Sequence, residues 1–218
     1  MLINQILEGL GGLSKPQLNF LIVLFKTIFV CQSAINFSSL SRHSGWSERT
    51  FRRNFRKEID FIEINQAIVE QACGRIKAFA MDAAFIKKSG KKTFGLDRFW
   101  NGCAGRSEKG LEASIISLVD EQQNASFALT LEQTEPNLQT KESDGGKRTR
   151  IDFYGEQLEQ AAEVLIKYTR IGLFDGFYAK QKFAGRVRRL GLVMISRLRS
   201  DARLKYLYEG ERTGRRGR

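Results

Sequence analysis

Ile76-Lys77-Ala78-Phe79-Ala80-Met81-Asp82-Ala83-Ala84-Phe85 is the stretch on which the reading of this chain turns. Residues 1 to about 70 read as helical, with Ser14-Lys15-Pro16 as a start signal before a long apolar stretch and two further helical patterns between Ser38 and Ile68. From Ile76 onward the apolar residues fall instead into short runs bounded by turn residues, the pattern of strands. The first run, Ile76 to Phe85, is followed by Glu112 to Val119, Asn124 to Leu131, Ile171 to Phe174 and Leu192 to Leu198. After the third run comes a polar loop, Glu135 to Arg150. Then Tyr154, Leu158, Ala161, Ala162, Leu165 and Tyr168 recur every three or four residues and predict an amphipathic helix. A second helix fits Tyr178 to Arg189.

The resulting order is strand, strand, strand, helix, strand, helix, strand. That is the chain order of a ribonuclease-H-like domain, with three meander strands and two crossovers. The fold class expected is therefore α/β: a helical region over residues 1–70, then a mixed sheet with flanking helices over residues 71–218. The 218 residues suffice for a small domain and a medium one, and 42% hydrophobic with 28% charged residues is an ordinary globular composition.

Charge narrows the partner. Lys and Arg number 36 against 24 Asp and Glu, a formal +12, which is the footprint of a protein that meets a polyanion. Nucleic acid leads over a membrane surface, because the longest apolar run, Leu18 to Val30, is broken by Lys26 and is too short to span a bilayer. The start Met1-Leu2-Ile3-Asn4 lacks the basic region of a signal peptide, and a cytoplasmic, nucleoid-associated location is expected. Cys31, Cys73 and Cys103 are widely spaced and read as free thiols, and the single histidine, His43, leaves metal chemistry to oxygen ligands.

Within the helical region, Phe37 to Lys57 has the shape of a helix-turn-helix. Gly45 supplies the turn, Ser47 can cap the second helix, and Glu48 suits its positive end. Phe51, Phe55 and Ile59 recur every four residues and are expected to face a core. Arg49, Arg52, Arg53 and Arg56 are left on the outer side, where they can meet a major groove and its phosphates; the bland alternative is a solvated basic helix.

Two acids stand out among the strands. Asp82 follows Ala78-Phe79-Ala80-Met81, and Asp175 ends Ile171-Gly172-Leu173-Phe174 just before Gly176. Each is expected on or at the end of a buried strand, where an unpaired carboxylate is costly unless a cation or hydrogen bonds compensate it. Singly, each is a strand-end cap. Together, on the first and fourth strands of this order, they favour an oxygen-rich site for Mg²⁺, with Mn²⁺ as a substitute.

Ala80-Met81-Asp82-Ala83-Ala84-Phe85-Ile86-Lys87-Lys88-Ser89-Gly90-Lys91-Lys92-Thr93-Phe94-Gly95 resembles the first-Asp segment of DDE transposases from bacterial insertion sequences. Phe99-Trp100-Asn101-Gly102 with Lys109-Gly110-Leu111-Glu112, then Gln133-Thr134, then Asp175-Gly176-Phe177-Tyr178-Ala179-Lys180, and finally Ser196 to Ala202 are similar to the segments that follow in that family. The resemblance runs from about Asn36 to Gly210. It implies a transposase that binds terminal inverted repeats in double-stranded DNA, nicks the element ends with water and joins the freed 3′ hydroxyl to target DNA. It also implies that Asp82 and Asp175 are catalytic metal ligands, with two ions in a complete site. The family's third acid, a Glu on a helix after the fifth strand, has no counterpart here. Glu209 and Glu211 lie too near the strand exit, so the catalytic domain reads as incomplete at its C-terminal end and inactive alone.

Lys87, Lys88, Lys91 and Lys92, with Arg98, Arg106 and Lys109, are expected around the first hairpin, where they could hold a phosphate backbone or simply be solvated. Trp100 is expected to be a packing residue. Two other readings stay open: a DNA-binding remnant that regulates transposition without catalysis, and a ribonuclease-H-like nuclease unrelated to transposition. A homo-oligomer is compatible with the sequence.

Overall fold

A computed structural model describes residues 2–90, 93–138 and 148–199, with residues 202 and 210. Lys91, Lys92, Glu209 and Glu211 lie outside the described residues.

The helical region comprises α1 (Leu2–Glu8), α2 (Lys15–Val30), α3 (Phe37–Ser44), α4 (Glu48–Asn54) and α5 (Phe61–Ala72). At the start of α2, Ser14 N and Oγ both donate to Gln17 Oε1, at 3.1 and 2.6 Å, ahead of the Pro16 that read as a start signal. Leu7, Phe20, Leu21, Leu24, Leu40, Phe51 and Ile64 form the buried core of this region. Gly45 ends α3 at φ +71°, a left-handed conformation that suits glycine, and Ser47 Oγ accepts from Thr50 N at 3.2 Å to cap α4.

One expectation fails here. Helix α4 ends at Asn54, so Phe55 is its C-cap residue and is half exposed rather than buried, although its ring still packs edge-on against Phe20 and Phe37, at 5.6 and 5.2 Å between centroids. Arg56 lies past the end of the helix.

The sheet region comprises β1 (Ile76–Lys87), β2 (Asp97–Asn101), β3 (Arg106–Asp120), β4 (Ala125–Gln133), α6 (Arg150–Tyr168), β5 (Ile171–Phe174), α7 (Gln181–Arg189) and β6 (Val193–Ser196). The six strands form one mixed sheet in the order β2-β3-β1-β5-β6, with β4 also on β3. The long β3 holds β2 along its first part, from Asp97 opposite Gly110 to Asn101 opposite Arg106, and β4 along the rest. These pairs and β1–β3 are antiparallel; β1–β5 and β5–β6 are parallel, which is why helices α6 and α7 must carry the chain across. Five strands are thus those expected and β2 is additional. Its one buried residue, Phe99, gives too little periodicity to mark a strand, and the start of β3 that pairs with it, Arg106-Ser107-Glu108-Lys109, is polar.

Helices α6 and α7 cover one side of the sheet. Phe79, Met81, Ile116, Leu118, Leu129 and Phe174 pack there with Ile151, Tyr154, Leu158, Ala161 and Leu165 of α6 and Phe183 and Val187 of α7. A Cβ at Gly172 would stand 2.5 Å from Phe79 Cζ and 2.6 Å from Phe174 Cε2, so a glycine there lets both rings lie across β5. Helix α5 belongs to both cores, giving Ile64 to the helical one and Val69 to this one.

Both crossover helices differ at their starts from expectation. Thr149 caps α6, with Thr149 Oγ1 and N donating to Asp152 Oδ2 at 2.8 and 3.0 Å, so the helix opens at Arg150, inside the stretch read as loop. Helix α7 opens at Gln181, leaving Tyr178 buried in the preceding turn. Asp152 also ties the two helices, through Lys182 Nζ at 2.7 Å and Arg186 Nη2 at 3.0 Å. Burial of the carboxyl opposes its charge, but the Lys182 hydrogen bond and the Thr149 donors outweigh that and hold its pKa at about 2. Since an unfolded Asp titrates near ~3.9, this stability is present above about pH 4 and is lost as pH falls toward 2. Asp152→Asn is expected to cost on the order of 2 kcal/mol at neutral pH and to flatten the dependence of urea unfolding between about pH 4 and 2. An unchanged acid slope in the variant would show that Asp152 is not responsible for it.

Candidate active site

The site is set by the parallel pair β1–β5. Phe79 lies opposite Gly172, Ala80 opposite Leu173 and Met81 opposite Phe174. Asp82 is the next residue of β1, and Asp175 follows the last residue of β5. The buried side chains Met81 and Phe174 precede the two acids, and alternation along the strand turns Asp82 away from the core. Both carboxylates are exposed, contrary to the burial expected from the apolar runs before them. They therefore do not carry the desolvation cost that the sequence suggested.

Backbone groups fix the orientation of each acid. Asp82 Oδ1 accepts from Ala83 N at 2.7 Å, and Asp175 Oδ1 accepts from Phe177 N at 2.9 Å in an Asx turn. The carbonyl of Asp175 accepts from Tyr178 N at 3.2 Å and from Ser196 Oγ at 2.8 Å, so β6 steadies the loop.

Asp82 and Asp175 open on a cleft of about 120 Å³ whose walls include Glu112, Arg150, Tyr154 and Tyr178. Glu112 accepts a hydrogen bond from Tyr154 Oη, and Arg150 Nη1 stands 4.0 Å from Glu112 Oε2. The Arg150 guanidinium lies 4.6 Å over the Phe99 ring, and its Nη2 donates to Arg98 O at 2.7 Å. Burial, then the charge of Glu112, raises the Tyr154 pKa. Burial, then Tyr154 and the charges of Asp82, Asp175 and Glu112, raises that of Tyr178 and keeps its hydroxyl protonated.

Glu112, Arg150, Tyr154 and Tyr178 join the site although local sequence pattern does not mark them as site residues. A signal existed for Glu112: it occupies the buried phase of β3 with Ser114, Ile116 and Leu118, and a carboxylate in that phase needs partners. Trp100 also lines the cleft and is 60% exposed, so it is not the packing residue expected; Phe99 takes that place.

Among the described residues, no group of three or more His, Cys, Asp or Glu side chains is arranged to hold a metal ion. Two outward carboxylates still suit Mg²⁺, which binds through one or two carboxylates and completes its shell with water and substrate phosphate.

A larger basic cleft of about 540 Å³ lies along the β1 end and the β2–β3 hairpin, lined by Lys87, Lys88, Arg98, Arg106 and Lys109. The carboxylate of Glu108, also on its wall, is occupied by Arg106 at 2.7 Å and Asn101 at 2.8 Å. In the helical region Arg49, Arg52, Arg53 and Arg56 are all exposed. Arg52 pairs with Glu48 and stacks over Phe37 at 4.7 Å, which leaves Arg49 and Arg53 as the cations of α4 without a partner among the described residues.

The architecture is the α/β class read from the sequence, a mixed sheet with flanking helices whose central strands β1 and β5 run parallel. The chain belongs to the DDE superfamily endonucleases, whose family model matches residues 38–218. Among solved structures it is similar to a piggyBac transposase in a synaptic complex with hairpin DNA, at 12% identity and a TM-score of 0.40, over 92% of this chain and 47% of that one. It thus spans about half the length of that protein. A comparison with curated proteins gives no match. No described helix is long and apolar enough to cross a membrane.

Proposed function

We propose that this chain is the transposase of a bacterial insertion sequence, acting on the nucleoid at the terminal inverted repeats of its element, with Asp82 and Asp175 as catalytic ligands of Mg²⁺ or Mn²⁺. The observation that supports the reading is that Asp82, on β1, and Asp175, directly after the parallel neighbour β5, line one cleft, with a basic groove along the β2–β3 hairpin. Lys87, Lys88, Lys91, Lys92, Arg98, Arg106 and Lys109 hold the phosphate backbone along the hairpin, and Arg49, Arg52, Arg53 and Arg56 hold duplex DNA at the helix-turn-helix. Bound divalent ions supply Lewis-acid activation of the attacking oxygen and stabilisation of the leaving one. The protein's part is to aim the two carboxylates, which the Ala83 and Phe177 amides do.

A non-catalytic DNA-binding regulator of transposition is the second reading. It is favoured by the commitment of Glu112, the third carboxylate of the cleft, to Tyr154 and Arg150.

Titration of the purified chain with Mn²⁺, followed by electron paramagnetic resonance, tests the metal site. Asp82→Asn and Asp175→Asn should each weaken binding by about tenfold or more, because each removes a charged oxygen ligand. Equal affinity in all three proteins would place the metal elsewhere and end this reading.

A further inference from the structure

Tyr178 is 1% exposed, yet its hydroxyl, on the wall of the cleft that holds Asp82 and Asp175, has no hydrogen-bond partner among the described residues. A buried hydroxyl without a partner is a cost that folded proteins seldom leave standing unless something else supplies the acceptor. None of the cleft's three carboxylates bonds to it: Tyr154 donates to one oxygen of Glu112, and backbone amides orient one oxygen of each aspartate. A second donor shares this wall. Arg150 is 7% exposed, and its buried Nε also lacks a partner among the described residues, while Nη2 is taken by the Arg98 carbonyl.

The missing ligand must therefore be an acceptor, and the charges around it say which kind. Asp82, Asp175 and Glu112 outnumber Arg150, so an anion alone would be repelled, whereas divalent cations on the two aspartates reverse the balance. An oxygen acceptor that arrives with such cations is the non-bridging oxygen of a phosphodiester. We propose that Tyr178 and Arg150 form a phosphate-oxygen subsite beside the acid pair, donating to a non-bridging oxygen of the DNA phosphate held there. The inference rests on the metal reading of Asp82 and Asp175 and deepens it.

Tyr178 is fixed for this task. Its ring packs among Tyr154, Phe174 and Phe183, with centroids 5.1 to 5.8 Å away, and its backbone N–H is bonded to the Asp175 carbonyl. A donor three residues from one metal ligand and tied to its backbone will stay in register with whatever that ligand holds.

The test uses the full chain with saturating Mn²⁺ and inorganic phosphate as the probe, reading phosphate affinity from the paramagnetic broadening of its ³¹P signal. Tyr178→Phe keeps the ring and removes only the O–H; it should leave Mn²⁺ affinity within about twofold and weaken phosphate binding about tenfold, the usual effect of losing a hydrogen bond to a charged group. Arg150→Lys, which keeps the charge but not Nε, should weaken phosphate in the same direction. Phosphate should also perturb the ultraviolet resonance Raman doublet of a buried tyrosine in the native chain and not in Tyr178→Phe, a change that a purely structural tyrosine would not give. Undiminished phosphate affinity in both variants, with Mn²⁺ still bound, overturns this subsite alone. Failure of the native chain to bind Mn²⁺ overturns the metal reading and this inference with it.

Discussion

The purified chain, given Mg²⁺ and labelled inverted-repeat DNA, is expected to cleave it at a rate close to background. Two-metal phosphoryl transfer depends on holding both ions and the nucleophile in line with the leaving oxygen. In the described part of the site two carboxylates are available for that work; Glu112 is spent on Tyr154 and Arg150, and no third ligand joins Asp82 and Asp175. Under-liganded ions bind weakly and wander, and loss of transition-state positioning costs several powers of ten in rate, on the order of 3 to 5 kcal/mol. Gel assays of the native chain beside Asp82→Ala and Asp175→Ala settle the matter. Robust cleavage that both substitutions abolish would contradict the expectation, and would mean that Glu209, Glu211 or a second subunit supplies the absent carboxylate.

The second large effect concerns DNA binding. Replacing Arg49, Arg52, Arg53 and Arg56 together by Ala should weaken binding to duplex DNA by on the order of a hundredfold at ~0.1 M salt and make the logarithmic salt dependence shallower by at least about two, because each phosphate contact contributes about 0.9 to that slope. Arg49 and Arg53 should account for most of the loss, since Arg52 is paired with Glu48 and Arg56 lies beyond the helix. Gel-shift titrations across a salt series read both quantities. Unchanged affinity and slope would transfer the DNA surface to the groove of Lys87, Lys88, Arg98, Arg106 and Lys109.

Much of this arrangement was legible because it is written in local patterns. The strands β1, β4, β5 and β6 are short apolar runs with clear ends, and Asp82 and Asp175 were visible because each interrupts or closes such a run. The pairing of β1 with β5 followed from element order alone, since crossovers set the fourth strand beside the first. What escaped notice depends on tertiary partners. Strand β2 has only Phe99 to bury and is held by its hydrogen bonds to β3. Arg150 looked like the end of a polar loop, but the Thr149–Asp152 cap starts the helix there and carries its guanidinium under the sheet edge, onto the Phe99 ring. Tyr178 fitted a helical pattern, yet the Asx turn at Asp175 delays α7 and turns the ring inward. The exposure of Trp100 and Phe55 could not be read either, because an aromatic residue gives the same local signal whether it faces a core or a cleft.

The central claim is that Asp82 and Asp175 hold a divalent cation between them. Anomalous diffraction from crystals of the full chain grown in Mn²⁺ tests it most directly. The expected result is a Mn²⁺ peak within about 2.0 to 2.3 Å of one carboxylate oxygen from each residue, the distance of a small divalent ion from oxygen ligands. Mn²⁺ bound at other residues, with the Asp82–Asp175 cleft holding none at saturating concentration, would contradict it.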